Sequence, residues 1–139
     1  MVKDQRNKCL QNLVRNELEA LCLKQIPQIK KALAISGVHS EESPWRFNGD
    51  KSTNGAQIDL LIDRADRTIN VCEMKFYTGE FTVDKSYAVE LDRKLTVFRD
   101  QTKTRKTLFL TLITTYGVKK NEYADRLVHN SLTLDLFFG

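Results

Sequence analysis

Apolar and polar residues alternate in two neighbouring stretches near the middle of the chain. The stretches cover residues 57–63 and 68–75, and the polar segment 64–67 separates them. Alternation of this kind is typical of β-strands, because successive side chains point to opposite faces of a sheet. The pattern predicts a β-hairpin whose apolar side chains share one face: Ile58, Leu60, Ile62, Cys72 and Met74.

The other face of the predicted hairpin carries polar and charged side chains. Centring the turn on Asp66 predicts three facing pairs: Gln57 with Lys75, Asp59 with Glu73, and Leu61 with Val71. Facing residues have Cβ atoms about 4.5–5.5 Å apart, and like charges at that distance destabilise a strand pair. Asp59 and Glu73 therefore need a cation, and a divalent ion such as Mg²⁺, which binds one or two carboxylates and keeps several waters, suits them better than Lys75 alone. A register shift of one residue would place the two acids on opposite faces.

The remaining pattern predicts helices around a sheet. The expected helices cover residues 4–25, 27–35, 83 or 84 to about 104, and 122–129; the expected strands are a short edge strand at 43–47 in a loop-like segment (38–54), a buried strand at 108–114 and a final strand at 132–138. Together with the hairpin, these elements predict an α/β fold in one domain, residues 1–139, with a mixed sheet of four to five strands flanked by helices.

The long helix expected after residue 83 carries a lysine in its apolar stripe. The stripe has spacings of three and four and consists of Tyr87, Leu91, Lys94, Phe98 and Gln101. Either the stem of Lys94 packs while its ammonium reaches water, or Lys94 projects to the sheet edge where Asp59 and Glu73 gather. Lys85 and Arg93 belong to a basic flank of the same helix, which either binds phosphates or is a solvated face.

Composition limits the class of protein. With 139 residues, of which 41% are hydrophobic and 29% charged, the chain has material for one hydrophobic core. Its apolar runs are shorter than the roughly 20 residues of a membrane span, and its first residues lack a signal peptide, which predicts a cytoplasmic protein without membrane contact. Three cysteines without C-x-x-C spacing and two histidines do not form a zinc motif, so we interpret the cysteines as buried thiols. A net charge of +4 favours polyanions without identifying one.

Asp59, followed by Glu73-Met74-Lys75 on the next strand, resembles the signature of the PD-(D/E)xK nuclease superfamily. The spacing alone is a weak signal, but the longer runs 55–64 and 72–76 are similar to a nuclease-like domain that follows an AAA-type ATPase module in predicted bacterial and archaeal ATPases. Residues 18–30 and 113–117 share the similarity. The resemblance implies a restriction-endonuclease-like core and metal-dependent cleavage of nucleic acid.

The resemblance also implies roles for individual residues. Asp59, Glu73 and, from the first helix, Glu19 would hold Mg²⁺ or Mn²⁺ and form the catalytic set with Lys75, which would orient water and stabilise developing charge. We do not interpret Lys75 as a strong general base, because an acidic neighbour favours its charged form. Two alternatives stay open: Glu19 as a solvated helix residue, and the motif as a surface salt bridge between Glu73 and Lys75.

The implied partner is nucleic acid, with DNA favoured, contacted by Gln57, Lys94, Lys85 and Arg93. Gln57 is equally well a sheet-surface amide, and Trp45 is either a packing residue or a base-stacking platform. Because no G-x-x-x-x-G-K-[ST] loop is present, the implied ATPase would be an attached module, and a homodimer is expected if both strands of a duplex are cut. A non-catalytic nucleic-acid-binding module and a protein-interaction module that regulates an ATPase are the other functional classes.

Overall fold

The computed structural model describes the backbone of residues 2–137 and the side chains of residues 13–137. The helices are α1 (Val2–Lys24), α2 (Ile26–Ala32), α3 (Lys85–Thr102), α4 (Glu122–Leu127) and a final 3-10 helix (Leu134–Phe137); the strands are β1 (Ser40–Phe47), β2 (Ala56–Arg64), β3 (Thr68–Lys75), β4 (Thr107–Thr114) and β5 (Asn130–Thr133). Within this described part of the chain, no helix combines the length and hydropathy needed to cross a membrane.

The five strands form one mixed sheet in the order β1-β2-β3-β4-β5. Strands β1, β2 and β3 are antiparallel neighbours, whereas β4 and β5 are added in parallel, with α3 connecting β3 to β4. One face packs against α3 and α4, and the other against α1, α2 and the 3-10 helix. The predicted α/β class, with a mixed sheet flanked by helices, is confirmed.

The sheet has helices on both sides because its strands are apolar on both faces. All residues of β3 except Lys75 are buried, and the second half of β4 is buried as well, as predicted for a strand inside the sheet. Trp45 packs edge to face on Phe98, with ring centroids 5.1 Å apart. This contact is the one expected if Trp45 is a packing residue. Gln101 is exposed, so the core-facing stripe of α3 ends at Phe98.

The predicted final strand at 132–138 is wrong in its second half. Strand β5 ends at Thr133, and the chain continues as a 3-10 helix over Leu134–Phe137; Phe138 lies outside the described residues. Leu134, Leu136 and Phe137 all contact the core beside α2. A 3-10 turn brings residues three apart onto one side, so it packs Leu134 and Phe137 together where a strand would have separated them.

A bulge in β2 breaks the regular alternation. In the pairing with β1, Ser43 faces Leu61 but Trp45 faces Ile58, so two residues of β2 lie opposite one residue of β1. As a result Ile58 packs with Leu61 on the α3 side, while Leu60 packs on the α1 side. The prediction that Ile58 shares a face with Leu60 is therefore wrong, because strict alternation allows no extra residue.

The two described cysteine side chains, Cys22 and Cys72, are fully buried. Burial raises the pKa of Cys22 to about 12, with the negative charge of Glu19 as the second cause, and burial also raises the pKa of Cys72. Since only the thiolate reacts with disulfide reagents, we expect a Cys9→Ser variant to react with Ellman's reagent at pH 8 at least about 10³-fold more slowly than free cysteine. Both thiols should react at once in guanidinium chloride, and a fast phase in the native variant would contradict the burial.

Candidate active site

Asp59 and Glu73 meet where β2 and β3 stop pairing in a regular ladder. The register between these strands runs from the turn to the pair Leu60–Cys72. Beyond that pair, each acid accepts a hydrogen bond from the backbone of the other strand: Glu73 Oε2 from the Asp59 amide at 3.2 Å, and Asp59 Oδ2 from the Met74 amide at 2.9 Å. Carboxylates thus take the place of backbone carbonyls as acceptors, and this exchange holds the two acids side by side.

Glu73 is deeply buried, with 1% of its surface exposed. Burial raises the pKa of its carboxyl, the nearby charge of Asp59 raises it further, and the ammonium of Lys94 acts in the opposite direction. Lys94 Nζ donates a hydrogen bond to Glu73 Oε1 and forms an ion pair with it. Of the two interpretations of Lys94, the projection towards the acids is the one that the geometry matches.

Lys75 has a different partner from the one that a surface salt bridge would give it. Its Nζ lies 5.1 Å from the ring centroid of Tyr87, within the range of a cation–π interaction. The ion pair of Glu73 is with Lys94, and Glu73 is not at the surface. The alternative of an exposed Glu73–Lys75 salt bridge is therefore wrong, and the two lysines have different partners.

Tyr87 is a residue of this site that the sequence analysis placed only in the apolar stripe. Its hydroxyl is buried and has no hydrogen-bond partner among the side chains and backbone groups of the described region. Burial raises the pKa of the phenol, and the charges of Glu73, Asp59 and Glu90 add to the effect. The spacing of seven residues between Tyr87 and Lys94, two helical turns, is the signal that could have identified it.

A polar cavity of about 340 Å³ adjoins the acid pair through Lys94. Its lining includes three further residues from the strands and α3: Arg46, Gln57 and Arg93. Arg46 Nη2 donates to Gln57 Oε1 at 2.8 Å, which links β1 to β2 at the cavity wall. Gln57, Lys94 and Arg93 thus lie around one space, and their contact with nucleic acid stays a prediction; Arg46 is an addition that sequence alone did not indicate.

Arg93 is held by Glu90 but retains an unused donor. Two of its nitrogens bond the Glu90 carboxylate at 3.0 and 2.7 Å, while Nη1 is buried and finds no acceptor among residues 13–137. An unpaired buried guanidinium N–H is costly. Lys85, the first residue of α3, is exposed and is not part of the cavity lining.

Glu19 does not join Asp59 and Glu73. Its carboxylate lies 3.3 Å from Arg15 Nε, one turn away in α1. Among the described side chains, no three acidic, histidine or cysteine residues form a group able to hold a metal ion. The charge of Glu19 raises the pKa of Cys22, which lies on the α1 side of the sheet. A role of Glu19 in the metal site stays a prediction.

Comparisons with known proteins bear on the fold alone. No family model matches the chain, and no curated protein matches it. A solved structure, a protein of unknown function named AF1548, is similar with a TM-score of 0.53 and 13% sequence identity, over 78% of this chain and 60% of that one. This chain therefore spans less than two thirds of that protein's length. At this identity the similarity shows a shared fold.

Proposed function

We propose that this protein is a metal-dependent nuclease that hydrolyses phosphodiester bonds in nucleic acid, with DNA as the favoured substrate. The observation that carries the proposal is the juxtaposition of Asp59 and Glu73, which bond to each other's strands at 3.2 and 2.9 Å. Two neighbouring carboxylates, one of them 1% exposed, lower the stability of the folded state. A bound divalent cation would offset this loss of stability.

The donor set fits Mg²⁺ or Mn²⁺. Hard divalent cations bind carboxylate oxygens and keep several waters, and here Asp59 is partly exposed, so water reaches the pair. Asp59 and Glu73 would hold the ion. The cation would supply a Lewis acid that activates water and stabilises the charge that builds up on the phosphate.

Two lysines and the adjoining cavity supply the positive charge that phosphodiester hydrolysis requires. Lys94 neutralises the buried charge of Glu73, while Lys75, held over Tyr87, is free of an acidic partner among the described residues and can face a phosphate. Arg46 and Arg93 line the cavity beside them and add their positive charge to it. The site thus combines paired acids with an adjacent phosphate-binding space.

The resemblance to ATPase-linked domains adds two partners to the proposal. An ATPase module in the full-length protein would control access of nucleic acid to this site. A homodimer would place two such sites on the two strands of a duplex.

The test is cleavage of supercoiled plasmid and of labelled single-stranded and branched oligonucleotides in Mg²⁺, in Mn²⁺ and in EDTA. We expect cutting in either metal and none in EDTA. Metal-independent cutting, or no cutting of any substrate in either metal, would argue against the proposal. Salt-sensitive binding without cutting would favour the non-catalytic nucleic-acid-binding module instead.

A further inference from the structure

Two exposed aromatic side chains lie next to the candidate active site and take no part in the core. Tyr77 and Tyr116 are each 62% exposed. A tyrosine ring left in water forgoes the burial that a ring of this size normally gains. Covering two such rings by a ligand would therefore be favourable, and the rings mark a candidate binding surface.

The register of the sheet brings the two tyrosines together. Strands β3 and β4 are parallel, and Lys75 pairs with Thr114, so the carboxyl ends of the two strands lie side by side. Each tyrosine follows its paired residue by two positions. The amide of Tyr77 donates to Thr115 Oγ1 at 3.2 Å, which ties the two segments directly.

The loops that carry the tyrosines are also joined further along. Phe81 and Val118 form a parallel bridge, in which the Phe81 amide donates to the Gly117 carbonyl and the Lys119 amide donates to the Phe81 carbonyl, each at 2.8 Å. The ring of Phe81 packs edge to face on Tyr87, with centroids 5.3 Å apart. Lys75 Nζ also lies over the ring of Tyr87. The two loops that carry Tyr77 and Tyr116 are therefore linked to the candidate active site through Tyr87.

Charge favours a polyanion as the occupant of this surface. Lys119 and Lys120 are exposed three and four residues after Tyr116, and Lys75 lies two residues before Tyr77. The exposed acids in the same loops are Glu80 and Asp84, and the carboxylate of Asp84 caps the N-terminus of α3. Aromatic rings beside cations are the combination that binds unpaired nucleotides, because bases stack on the rings while phosphates contact the cations.

We infer that Tyr77 and Tyr116 form a stacking platform for unpaired nucleobases beside the acid pair, so that the nucleic acid bound there is single-stranded or locally unpaired. That the platform selects a substrate rests on the proposed function. Binding of unpaired bases to the two tyrosines, however, needs no catalysis. A paired duplex keeps its bases stacked inside the helix and offers the tyrosines only its ends.

The experiment compares two fluorescent probes in EDTA: a 15-nucleotide oligothymidylate and an abasic oligonucleotide of equal length, which has the same phosphates without bases. Stacking contributes about 1–3 kcal/mol per base, so with two stacked bases we expect the unmodified protein to bind oligothymidylate about 100-fold more tightly than the abasic probe. Tyr77→Ala and Tyr116→Ala should each lose about tenfold for oligothymidylate, and the double variant should bind both probes equally. Tyr→Phe at either position should stay within about twofold, as should Val89→Ala, which changes another exposed apolar side chain.

The outcomes separate this inference from the proposed function. Equal affinity of the unmodified protein for both probes, or a base preference that survives in the double variant, would overturn the platform even if the protein cuts DNA. A base preference that disappears with the tyrosines supports the platform even if no cutting is found. Thermal unfolding of each variant shows whether a loss of affinity reflects a loss of folding.

Discussion

Replacing Asp59 with asparagine is expected to lower metal-dependent cleavage about 10³-fold while the protein stays folded. The asparagine amide oxygen still accepts the Met74 amide hydrogen bond, which measures 2.9 Å with the aspartate, but the negative charge needed by a divalent cation is lost. Removing one preorganised electrostatic contact typically costs 10²–10³-fold in rate. Initial rates of plasmid nicking in Mn²⁺, with thermal unfolding measured on the same samples, check both parts of the expectation.

Asp63→Asn is the matched control for this experiment. Asp63 lies on the same strand, but its carboxylate pairs with Lys106 away from the acid pair. We expect its cleavage rate to match that of the unmodified protein. Equal losses in the two variants, or no loss in Asp59→Asn, would disconnect the acid pair from the activity.

Replacing Lys94 with methionine is expected to destabilise the protein by about 3 kcal/mol at pH 7 in EDTA. Glu73 is 1% exposed, and its side-chain ion pair is with Lys94. Methionine keeps most of the packed stem and removes the ammonium, so it leaves a buried carboxylate without its cation. Urea unfolding followed by circular dichroism measures the loss.

A second substitution shows whether the loss arises from the charge of Glu73. In the Lys94→Met background, Glu73→Gln removes that charge and should restore a large part of the stability. Lys85→Met, which changes an exposed lysine at the start of the same helix, should stay within about 0.5 kcal/mol of the unmodified protein. A Lys94→Met variant as stable as the Lys85→Met control would contradict the assignment.

The loss in Lys94→Met should also depend on pH. The pKa of Glu73 in the folded protein is raised above its ordinary value of 4.5, so the folded state binds the proton more readily than the unfolded state. Stability from this group is therefore fully present below pH 4.5 and declines as pH rises towards the folded-state pKa. Since Lys94 lowers that pKa, its removal widens the pH window, and the variant should be closest to the unmodified protein near pH 4.

The hairpin could be predicted from the sequence because its information is local. The polar turn fixes the register, and the predicted pair of Leu61 and Val71 is the observed one. The bulge in β2 could not be predicted in the same way, because it arises from the pairing with β1, where Trp45 and Ile58 face each other. Alternation within a single strand contains no information about its neighbour's register.

Only those residues of the candidate site that break or continue a regular spacing in the sequence could be predicted. Lys94 stood out because a lysine interrupts an apolar stripe, and the structure places it on Glu73. Arg46 carries no comparable signal, since an arginine on an edge strand is ordinary there, and the seven-residue spacing of Tyr87 from Lys94 indicates only that the two share a helix face. Their place beside the acids depends on how β1 and α3 pack around the sheet, which is a property of the tertiary structure.

The hydrogen bond from the Met74 amide to Asp59 has a consequence for how selection acts on position 59. Selection for folding alone requires an acceptor of this reach, and asparagine supplies one as well as aspartate does. It gives no advantage to a negative charge placed against buried Glu73, which asparagine would avoid. The fold alone therefore favours the amide at this position, and the metal site of the proposed function is what would give the charge a use.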